Sequence, residues 1–288
     1  MIEKIMLGTV QFGLNYGIAN KSGQVTPEEV QRILKAAYDR GVRYLDTAIS
    51  YGNSEIVLGQ ALDALHLKDK FHIVTKIRPL PPEKLDDAKA EEWIRQSLGE
   101  SLQRLGIPKL YGCMFHHEDD APYLPLLKKL KSEGKIDNFG ISLDSAAFAN
   151  GDYQCDILQA PCNILDSRFD QTAKRVKFFA RSTFLQGLLL MEEEAIPAPL
   201  KQFTPQITAF EPLRKKLGLS RFEFYLRYNL SRKENALVLI GVDSLAQLEM
   251  NLDAAAKGPL PPDVLTEIEA HRPANPEALV RPHSWARA

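Results

Sequence analysis

The side chains in this sequence that are best suited to chemistry are an aspartate, a tyrosine, a lysine and a histidine. Asp46 ends the apolar segment 42–45 and Tyr51 follows it in the same loop, while Lys76 and His116 end two later apolar segments. Burying a carboxylate or an ammonium group costs free energy unless an opposite charge or a hydrogen bond compensates it. Each residue alone also has an ordinary structural explanation, such as Asp46 binding local backbone donors or Tyr51 packing on the core.

Together, the four side chains predict proton donation from a tyrosine. A tyrosine with its reference pKa of ~10 is a poor acid at neutral pH. A neighbouring Lys76 ammonium would stabilise the phenolate, Asp46 would keep Lys76 charged, and His116 would orient a substrate carbonyl. The sequence shows no obvious nucleophile and no metal-ligand cluster. The group that attacks the carbonyl carbon is therefore expected to be the hydride of a cofactor.

The elements that must position these residues alternate along the chain. Helical patterns separate eight short apolar segments that are typical of buried strands, at residues 4–7, 42–45, 71–76, 110–116, 136–142, 156–159, 176–182 and 237–240. This alternation predicts a parallel sheet, and eight units in roughly 250 residues match a closed (β/α)8 TIM barrel. We expect one α/β domain over residues 1–271 and an irregular C-terminal tail over residues 272–288. A doubly wound open sheet is the structural alternative, although no G-x-G-x-x-G follows the first strand.

Two helix starts carry capping residues. Thr26 is followed by proline and glutamate at the first and third helical positions, a combination that favours a helix. Gly52 permits a tight turn, and Asn53 is expected to cap a helix that begins at the next residue. The second helix would then start directly after the loop that carries Tyr51.

Most of the predicted strands end on a polar residue or a glycine. In a barrel of this kind the carboxyl ends of the strands form one face, where the functional site lies. A purely structural barrel does not need aspartate, lysine and histidine at successive strand ends. We therefore expect one cleft to be lined by the strand-end residues Gly8, Thr9, Asp46, Lys76, His116, Ser142, Gln159, Arg181, Ser182 and Gly241.

The composition limits the partners and the compartment. The 36 basic and 37 acidic residues leave a formal net charge of -1, which argues against nucleic acid or a membrane surface as the main partner. No apolar run approaches the ~18 residues needed to cross a bilayer, and no signal peptide is visible. The three cysteines lack metal-ligand spacing and are expected to be reduced, which predicts a cytoplasmic location. The sequence does not indicate an oligomeric state.

The motifs around these residues resemble those of the aldo/keto reductases, (β/α)8-barrel enzymes that reduce carbonyls with NADPH. Residues 46–52 (DTAISYG) resemble the family's Asp-Thr-Ala-x-x-Tyr-Gly signature, and residues 73–76 (IVTK) resemble the strand that carries its catalytic lysine. Residues 114–117 (MFHH) are similar to the strand end that carries its histidine. The resemblance implies a small-molecule carbonyl substrate and four catalytic residues, Asp46, Tyr51, Lys76 and His116.

Further motifs imply a coenzyme site. Residues 131–142 (KSEGKIDNFGIS) and 159–163 (QAPCN) are similar to segments whose serine and glutamine contact the nicotinamide. Residues 241–251 (GVDSLAQLEMN) are similar to the segment that holds the adenosine end. The resemblance implies NADP(H) as the cofactor, bound by Gly8, Thr9, Asp46, Ser142, Gln159, Arg181, Ser182, Phe184, Gln186, Gly187, Gly241, Val242, Asp243, Gln247 and Asn251.

Two positions depart from the family pattern. Arg181 stands where the family usually places an aromatic ring against the nicotinamide, and we expect it to contact the substrate or the coenzyme. The residues aligned with contacts to the coenzyme 2′-phosphate include no cation. Asp243 would repel a 2′-phosphate but could accept a hydrogen bond from a free 2′-hydroxyl, so NAD(H) stays open as the cofactor.

The leading hypothesis is an NAD(P)H-dependent reductase of aldehydes or ketones in which Tyr51 donates the proton. The alternative is a coenzyme-binding regulatory or partner subunit with little catalysis of its own. The presence of Tyr51 and Lys76 together argues against that alternative, since a sensor does not need both. A barrel lyase that forms a Schiff base on Lys76 is a third hypothesis.

Overall fold

The strands form a closed barrel. In the computed structural model, which describes residues 1–20, 22–273 and 276–285, eight parallel strands pair in chain order and the last pairs with the first. They are β1 (Ile5–Gly8), β2 (Tyr44–Asp46), β3 (His72–Ile77), β4 (Leu110–Phe115), β5 (Ile136–Ser142), β6 (Ile157–Pro161), β7 (Lys177–Arg181) and β8 (Asn235–Gly241). The predicted (β/α)8 barrel is therefore confirmed, and each strand lies within a few residues of its predicted position.

Helices connect and surround these strands. The α-helices of the described residues are α1 (Val10–Gly13), α2 (Pro27–Asp39), α3 (Ser54–Ala64), α4 (Asp87–Leu105), α5 (Leu124–Ser132), α6 (Asp170–Ala173), α7 (Thr204–Ile207), α8 (Glu211–Lys216), α9 (Arg221–Ser231), α10 (Leu245–Ala256), α11 (Pro262–His271) and α12 (Glu277–Val280). Short 3₁₀ helices lie at Ile2–Lys4, Glu118–Tyr123, Ala146–Phe148, Leu185–Leu190, Glu193–Ala195, Ala198–Phe203 and Pro282–Ser284. None of the helices in this described part of the chain is long and apolar enough to cross a membrane.

Side-chain oxygens satisfy backbone N–H groups at several helix starts. Such caps begin α2, α4, α9 and α10, at Thr26, Asp86, Ser220 and Ser244. Asn53 occupies the cap position of α3, but its side chain makes no capping hydrogen bond. Its Oδ1 instead accepts from Gln24 Nε2 at 2.9 Å. The expected side-chain cap at Asn53 is therefore wrong, because a side chain from the loop after β1 binds that oxygen.

The barrel has a packed interior and a larger apolar layer outside it. The interior cluster consists of Met6, Val74, Met114, Ile157, Phe179 and Leu237, all buried. Along β1, Met6 belongs to this cluster while its neighbours Ile5 and Leu7 belong to the larger cluster, as the alternation of side chains in a strand requires. Because the strands are parallel, their carboxyl ends and the polar residues at those ends lie on one rim of the barrel.

Two segments differ from the sequence-based picture. The segment directly after β1, for which the sequence analysis predicts no helix, forms the short helix α1, in which Gln11, Phe12 and Gly13 are buried. The tail, expected to be irregular, contains α12, in which Leu279 and Val280 are buried. That expectation is wrong for residues 277–280, because two adjacent apolar side chains reach the main apolar layer. The prediction for residues 274–275 and 286–288 lies outside the described residues, and the boundary at residue 271 stays a prediction.

Candidate active site

A cleft of about 520 Å³ opens at the carboxyl ends of the strands. The strand register pairs Gly8 with Asp46 on one side and with Gly241 on the other, and it pairs Ser142 with Gln159. The cleft is lined by the four predicted catalytic residues and most of the predicted coenzyme contacts, namely Gly8, Thr9, Asp46, Tyr51, Lys76, His116, Ser142, Gln159, Arg181, Ser182, Phe184, Gln186, Gly187, Gly241, Asp243 and Gln247. Val242 and Asn251 are buried and do not line it. Residues that lie far apart in the sequence are thus brought to one place.

Lys76 and Asp46 form an almost completely buried ion pair, with side-chain exposures of 1% and 3%. Lys76 Nζ donates to both carboxylate oxygens of Asp46 at 2.8 Å and to the Thr47 carbonyl at 3.0 Å. Asp46 Oδ1 also accepts from Gln159 Nε2 at 2.8 Å. Burial alone would lower the pKa of Lys76, but the Asp46 carboxylate and the Tyr51 hydroxyl outweigh burial and raise that pKa. Lys76 is therefore an ammonium group at neutral pH.

Tyr51 lies beside this ion pair. The centroid of its ring is 5.1 Å from Lys76 Nζ, and the following Gly52 has a φ of 59° that favours glycine. Burial raises the pKa of Tyr51, and the Lys76 charge opposes this rise without cancelling it. Lys76 acts to lower the pKa of Tyr51, as expected, but burial raises that pKa by more. The phenol is therefore protonated at neutral pH and available as a donor.

His116 is held as a neutral imidazole next to Tyr51. The two rings meet edge to face with their centroids 5.8 Å apart. Burial, followed by the charge of Lys76, lowers the pKa of His116 to about 3. The His116 Nδ1 atom lies 2.9 Å from the hydroxyl oxygen of Ser50, which belongs to the same loop as Tyr51. A neutral histidine can donate one hydrogen bond and accept another, so its partner at Nδ1 matters for its role.

Arg181 ends β7 and lines the cleft, but its charge is paired. Its guanidinium group donates to Asp144 Oδ1 at 2.8 Å and to the Leu143 carbonyl at 2.9 Å. Asp144 Oδ2 accepts from Arg281 Nε at 2.6 Å. A residue of the C-terminal segment thus shares one carboxylate with a residue of the cleft. Contact between Arg181 and a substrate or coenzyme stays a prediction.

Asp243 and Gln247 line the far end of the cleft, at the start of α10. The Asp243 backbone N–H donates to Gln247 Oε1 at 2.8 Å, and the buried Asn251 donates to the Gln247 carbonyl at 2.8 Å. Asp243 Oδ1 and Gln11 Oε1 are buried and have no hydrogen-bond partner within the described residues. Gln11 lies against Gly241, where an added Cβ would come within 2.9 Å of Gln11 Oε1. Asp243 is partly exposed and lines the cleft, so its carboxylate can accept hydrogen bonds from ligand hydroxyl groups, such as the ribose groups of a nicotinamide coenzyme.

Several cleft residues were not identified from the sequence. They are Val10, Gln11, Tyr16, Gly17, Ala19, Asn20, His117, Asp144, Thr183, Leu190, Phe222, Leu239 and Ile240. Gln186 Nε2 donates to the Tyr16 hydroxyl at 3.0 Å, so the loops after β1 and β7 meet at the cleft. Asp144 could have been found, because it follows the strand-end residue Ser142 by two positions. Tyr16 lies too far from its strand end to carry such a signal.

The amino-acid sequence of this chain is similar to that of a known family and of several characterised proteins. Residues 4–273 match the aldo/keto reductase family. The chain is 26% identical to L-galactose dehydrogenase of Arabidopsis thaliana over 297 residues, which cover 92% of this chain and 91% of that protein. It is 33% identical to the NADH-specific methylglyoxal reductase of Escherichia coli (strain K12) over 157 residues, which cover 45% of this chain and 47% of that protein.

The fold is also shared with a solved structure. A holo-form aldo-keto reductase of Bacillus halodurans superimposes with a TM-score of 0.73 at 19% sequence identity, over 94% of this chain and 93% of that one. At this identity, the likeness shows the common barrel. The sequence match covers nearly the whole barrel. The chain therefore belongs to the aldo/keto reductase family, a family of oxidoreductases that act on carbonyl compounds with a nicotinamide coenzyme.

Proposed function

We propose that the protein reduces an aldehyde or ketone to an alcohol by hydride transfer from a nicotinamide coenzyme, with Tyr51 as the proton donor. The observation that carries this proposal is the buried Lys76–Asp46 ion pair beside a protonated tyrosine in an open cleft. A structural barrel does not need an ion pair of this kind, since removing two charges from water costs free energy.

Each of the four residues has a separate role. Tyr51 gives its proton to the carbonyl oxygen, and the Lys76 charge stabilises the phenolate that remains. Asp46 keeps Lys76 charged and holds it in place through two hydrogen bonds. Neutral His116 donates a hydrogen bond to the carbonyl oxygen and orients the carbonyl carbon.

The coenzyme, when bound, supplies the hydride. Ser142 and Gln159, at the ends of neighbouring strands, would hold the nicotinamide amide. Asp243 and Gln247 would hold the adenosine end, and Asn251 would position Gln247 from behind. The family resemblance implies NADP(H). NADP(H) and NAD(H) have the same nicotinamide and adenosine groups, and they differ in the 2′-phosphate that only NADP(H) carries.

The variant Tyr51→Phe tests the proton donor. It removes the hydroxyl group and keeps the ring beside Lys76, so we expect turnover to fall by ~10²–10⁴-fold with little change in coenzyme affinity. Turnover is measured by coenzyme oxidation, and affinity by titration of coenzyme fluorescence. Tyr16→Phe is the matched control, because it removes a second tyrosine hydroxyl from the same cleft. A Tyr51→Phe protein that keeps most of its rate on an accepted aldehyde would contradict the proposal.

A substrate screen separates this proposal from the alternatives. Aldehydes, keto sugars and quinones are tested for coenzyme oxidation by the wild-type protein. Tight coenzyme binding without oxidation by any carbonyl would favour the regulatory subunit. Borohydride trapping of a carbonyl on Lys76 in the absence of coenzyme would favour the lyase.

A further inference from the structure

We infer that the protein selects NAD(H) over NADP(H), because carboxylates occupy the surroundings that a 2′-phosphate would need at the start of α10. This inference rests on the proposed function and concerns the adenosine end of the same cleft. It depends on three observations about Asp243, the N–H groups of α10, and Glu29.

The first observation is that no cation compensates Asp243. Its Oδ1 is buried without a partner in the described residues, and its Oδ2 lies 3.5 Å from Gln247 Nε2, which is a weak contact. The lysine and arginine side chains that line the cleft are Lys76 and Arg181. They are already paired with Asp46 and Asp144 respectively. A dianionic phosphate placed next to Asp243 would therefore meet an uncompensated negative charge.

The second observation is that most of the backbone N–H groups at the start of α10 already donate hydrogen bonds within the protein. A helix start ordinarily favours a phosphate, because its backbone N–H groups lack partners within the helix. Here the Asp243 N–H donates to Gln247 Oε1 at 2.8 Å, and the Gln247 N–H donates to the Ser244 hydroxyl at 3.3 Å. The Leu245 N–H donates to Glu29 Oε1 at 2.7 Å. Few donors are left for a phosphate.

The third observation is that Glu29 itself supplies an anion at this helix start. Glu29 belongs to α2, and its carboxylate is stabilised by the positive end of the α10 dipole. Arg32 compensates this carboxylate from the solvent side, with its NH1 atom 2.7 Å from Glu29 Oε2 and a side-chain exposure of 65%. Arg32 is thus engaged with Glu29, and its substitution tests whether it also contacts a phosphate.

The same arrangement suits a free ribose. A 2′-hydroxyl can donate a hydrogen bond to the carboxylate of Asp243, which lines the cleft, and a phosphate ester at that position cannot do so. A carboxylate that binds ribose hydroxyls is also how other nicotinamide sites recognise NAD(H). Asp243 therefore both attracts the 2′-hydroxyl and repels the 2′-phosphate, a combination that specific binding sites often use.

The test is a pair of coenzyme titrations. Dissociation constants for NADH and NADPH are measured with the full chain by coenzyme fluorescence, at equal pH and ionic strength. We expect NADH to bind at least about tenfold more tightly, equivalent to about 1.4 kcal/mol. Asp243→Asn and Glu29→Gln should each tighten NADPH binding, since each removes one negative charge. Glu28→Gln is the control, because it makes the same charge change at an exposed neighbouring residue and should change neither constant.

Other outcomes would overturn the inference in distinguishable ways. Equal affinities, or tighter binding of NADPH by the wild-type protein, would overturn the coenzyme selection and leave the proposed function intact. Weaker NADPH binding by Arg32→Ala would show that Arg32 is a phosphate ligand and would also overturn it. Failure to bind either coenzyme would overturn the proposed function together with the selection.

Discussion

At the scale of single residues, Lys76 Nζ donates to both carboxylate oxygens of Asp46 and to the Thr47 carbonyl, and it also interacts with the Tyr51 hydroxyl. It can therefore act on Tyr51 through its charge while its hydrogens hold it in place. Removing one partner of a buried ion pair costs ~3–5 kcal/mol in typical cases. Substitutions of Asp46 or Lys76 would thus disturb folding as well as chemistry. Tyr51→Phe keeps the packing of the ring, so it measures the loss of the proton donor separately from any loss of stability.

Ser50 is expected to set the tautomer of His116. If the Ser50 hydroxyl donates to Nδ1, the hydrogen of the neutral ring is on Nε2, where it can bind a carbonyl oxygen. We expect Ser50→Ala to lower kcat/KM for the carbonyl about tenfold, the effect of one lost hydrogen bond of ~1.4 kcal/mol. Coenzyme affinity should not change, and Ser50→Thr should restore the rate. The direct readout is the nitrogen NMR spectrum of the His116 ring, and a wild-type ring protonated at Nδ1 would refute this role.

Asp120 makes the stability of the protein depend on pH. Its carboxyl is buried, its Oδ2 has no partner in the described chain, and burial raises its pKa to about 6. Because this pKa lies above the unfolded value of ~3.9, the folded state binds the proton more tightly. The stabilising effect of that proton is complete below about pH 4 and is lost as the pH rises through about 6.

The variant Asp120→Asn is expected to be more stable than the wild type by about 1–2 kcal/mol at pH 7 to 8, after allowance for solvent screening. The gain should shrink to nothing near pH 4, where Asp120 is protonated. Urea unfolding at several pH values measures the difference, and the exposed neighbour Asp119→Asn is the control. A gain that does not vary with pH would contradict the assignment to this carboxyl.

At the scale of elements, α1 supports the loop that carries Tyr51. A Cβ on Gly13 would lie 1.9 Å from the Tyr51 carbonyl oxygen and 2.4 Å from the Ser54 nitrogen, and neither backbone atom can rotate away. We expect Gly13→Ala to destabilise the fold by ~1–3 kcal/mol and to lower turnover by displacing Tyr51. Thermal unfolding and steady-state rates measure both effects.

Gly99→Ala is the matched control for that change. Gly99 lies in the exposed middle of α4, and an added Cβ would meet nothing within 4 Å. The substitution should stabilise the protein by ~0.5–1 kcal/mol, because alanine is the better helix former. If Gly13→Ala behaved like Gly99→Ala, the contact between α1 and the Tyr51 loop would not be tight.

The elements predicted well were those with local signals. Apolar runs marked the eight strands, and the capping residue Thr26 marked the start of α2, because both signals depend on neighbours in the sequence. The strand-end residues of the cleft were predictable once the barrel was, since its geometry brings those ends together. The side-chain cap predicted for α3 does not form, because Asn53 accepts a hydrogen bond from a side chain of another loop.

The unpredicted parts of the site share a physical cause. The contacts of Ser50 with His116, of Glu29 with α10, and of Asp144 with two arginines each join separate elements. The position of a hydroxyl or carboxylate in the sequence does not indicate which distant residue it will contact. Such contacts depend on side-chain geometry after the barrel has closed.

At the scale of the whole molecule, the C-terminal segment is fastened to the rim of the cleft. Glu277 Oε1 accepts from the Ala146 N–H at 2.7 Å and from Arg168 NH1 at 3.1 Å. Leu279 and Val280 are buried in the main apolar layer. Arg281 then reaches Asp144, which also holds Arg181. The segment therefore supports the cleft wall through Asp144, which lines the cleft together with Arg181.

The shared carboxylate also orders events during synthesis. All eight strands and Arg181 leave the ribosome before Arg281 does, so the barrel has the residues it needs to close while Asp144 still lacks its second guanidinium partner. The charge balance beside the cleft is consequently completed only after all the strands have been synthesised, by a residue that lies outside the strands. A protein truncated just after α11 would keep the eight strands and the four proposed catalytic residues and would lose Arg281, one of the guanidinium groups that contact Asp144.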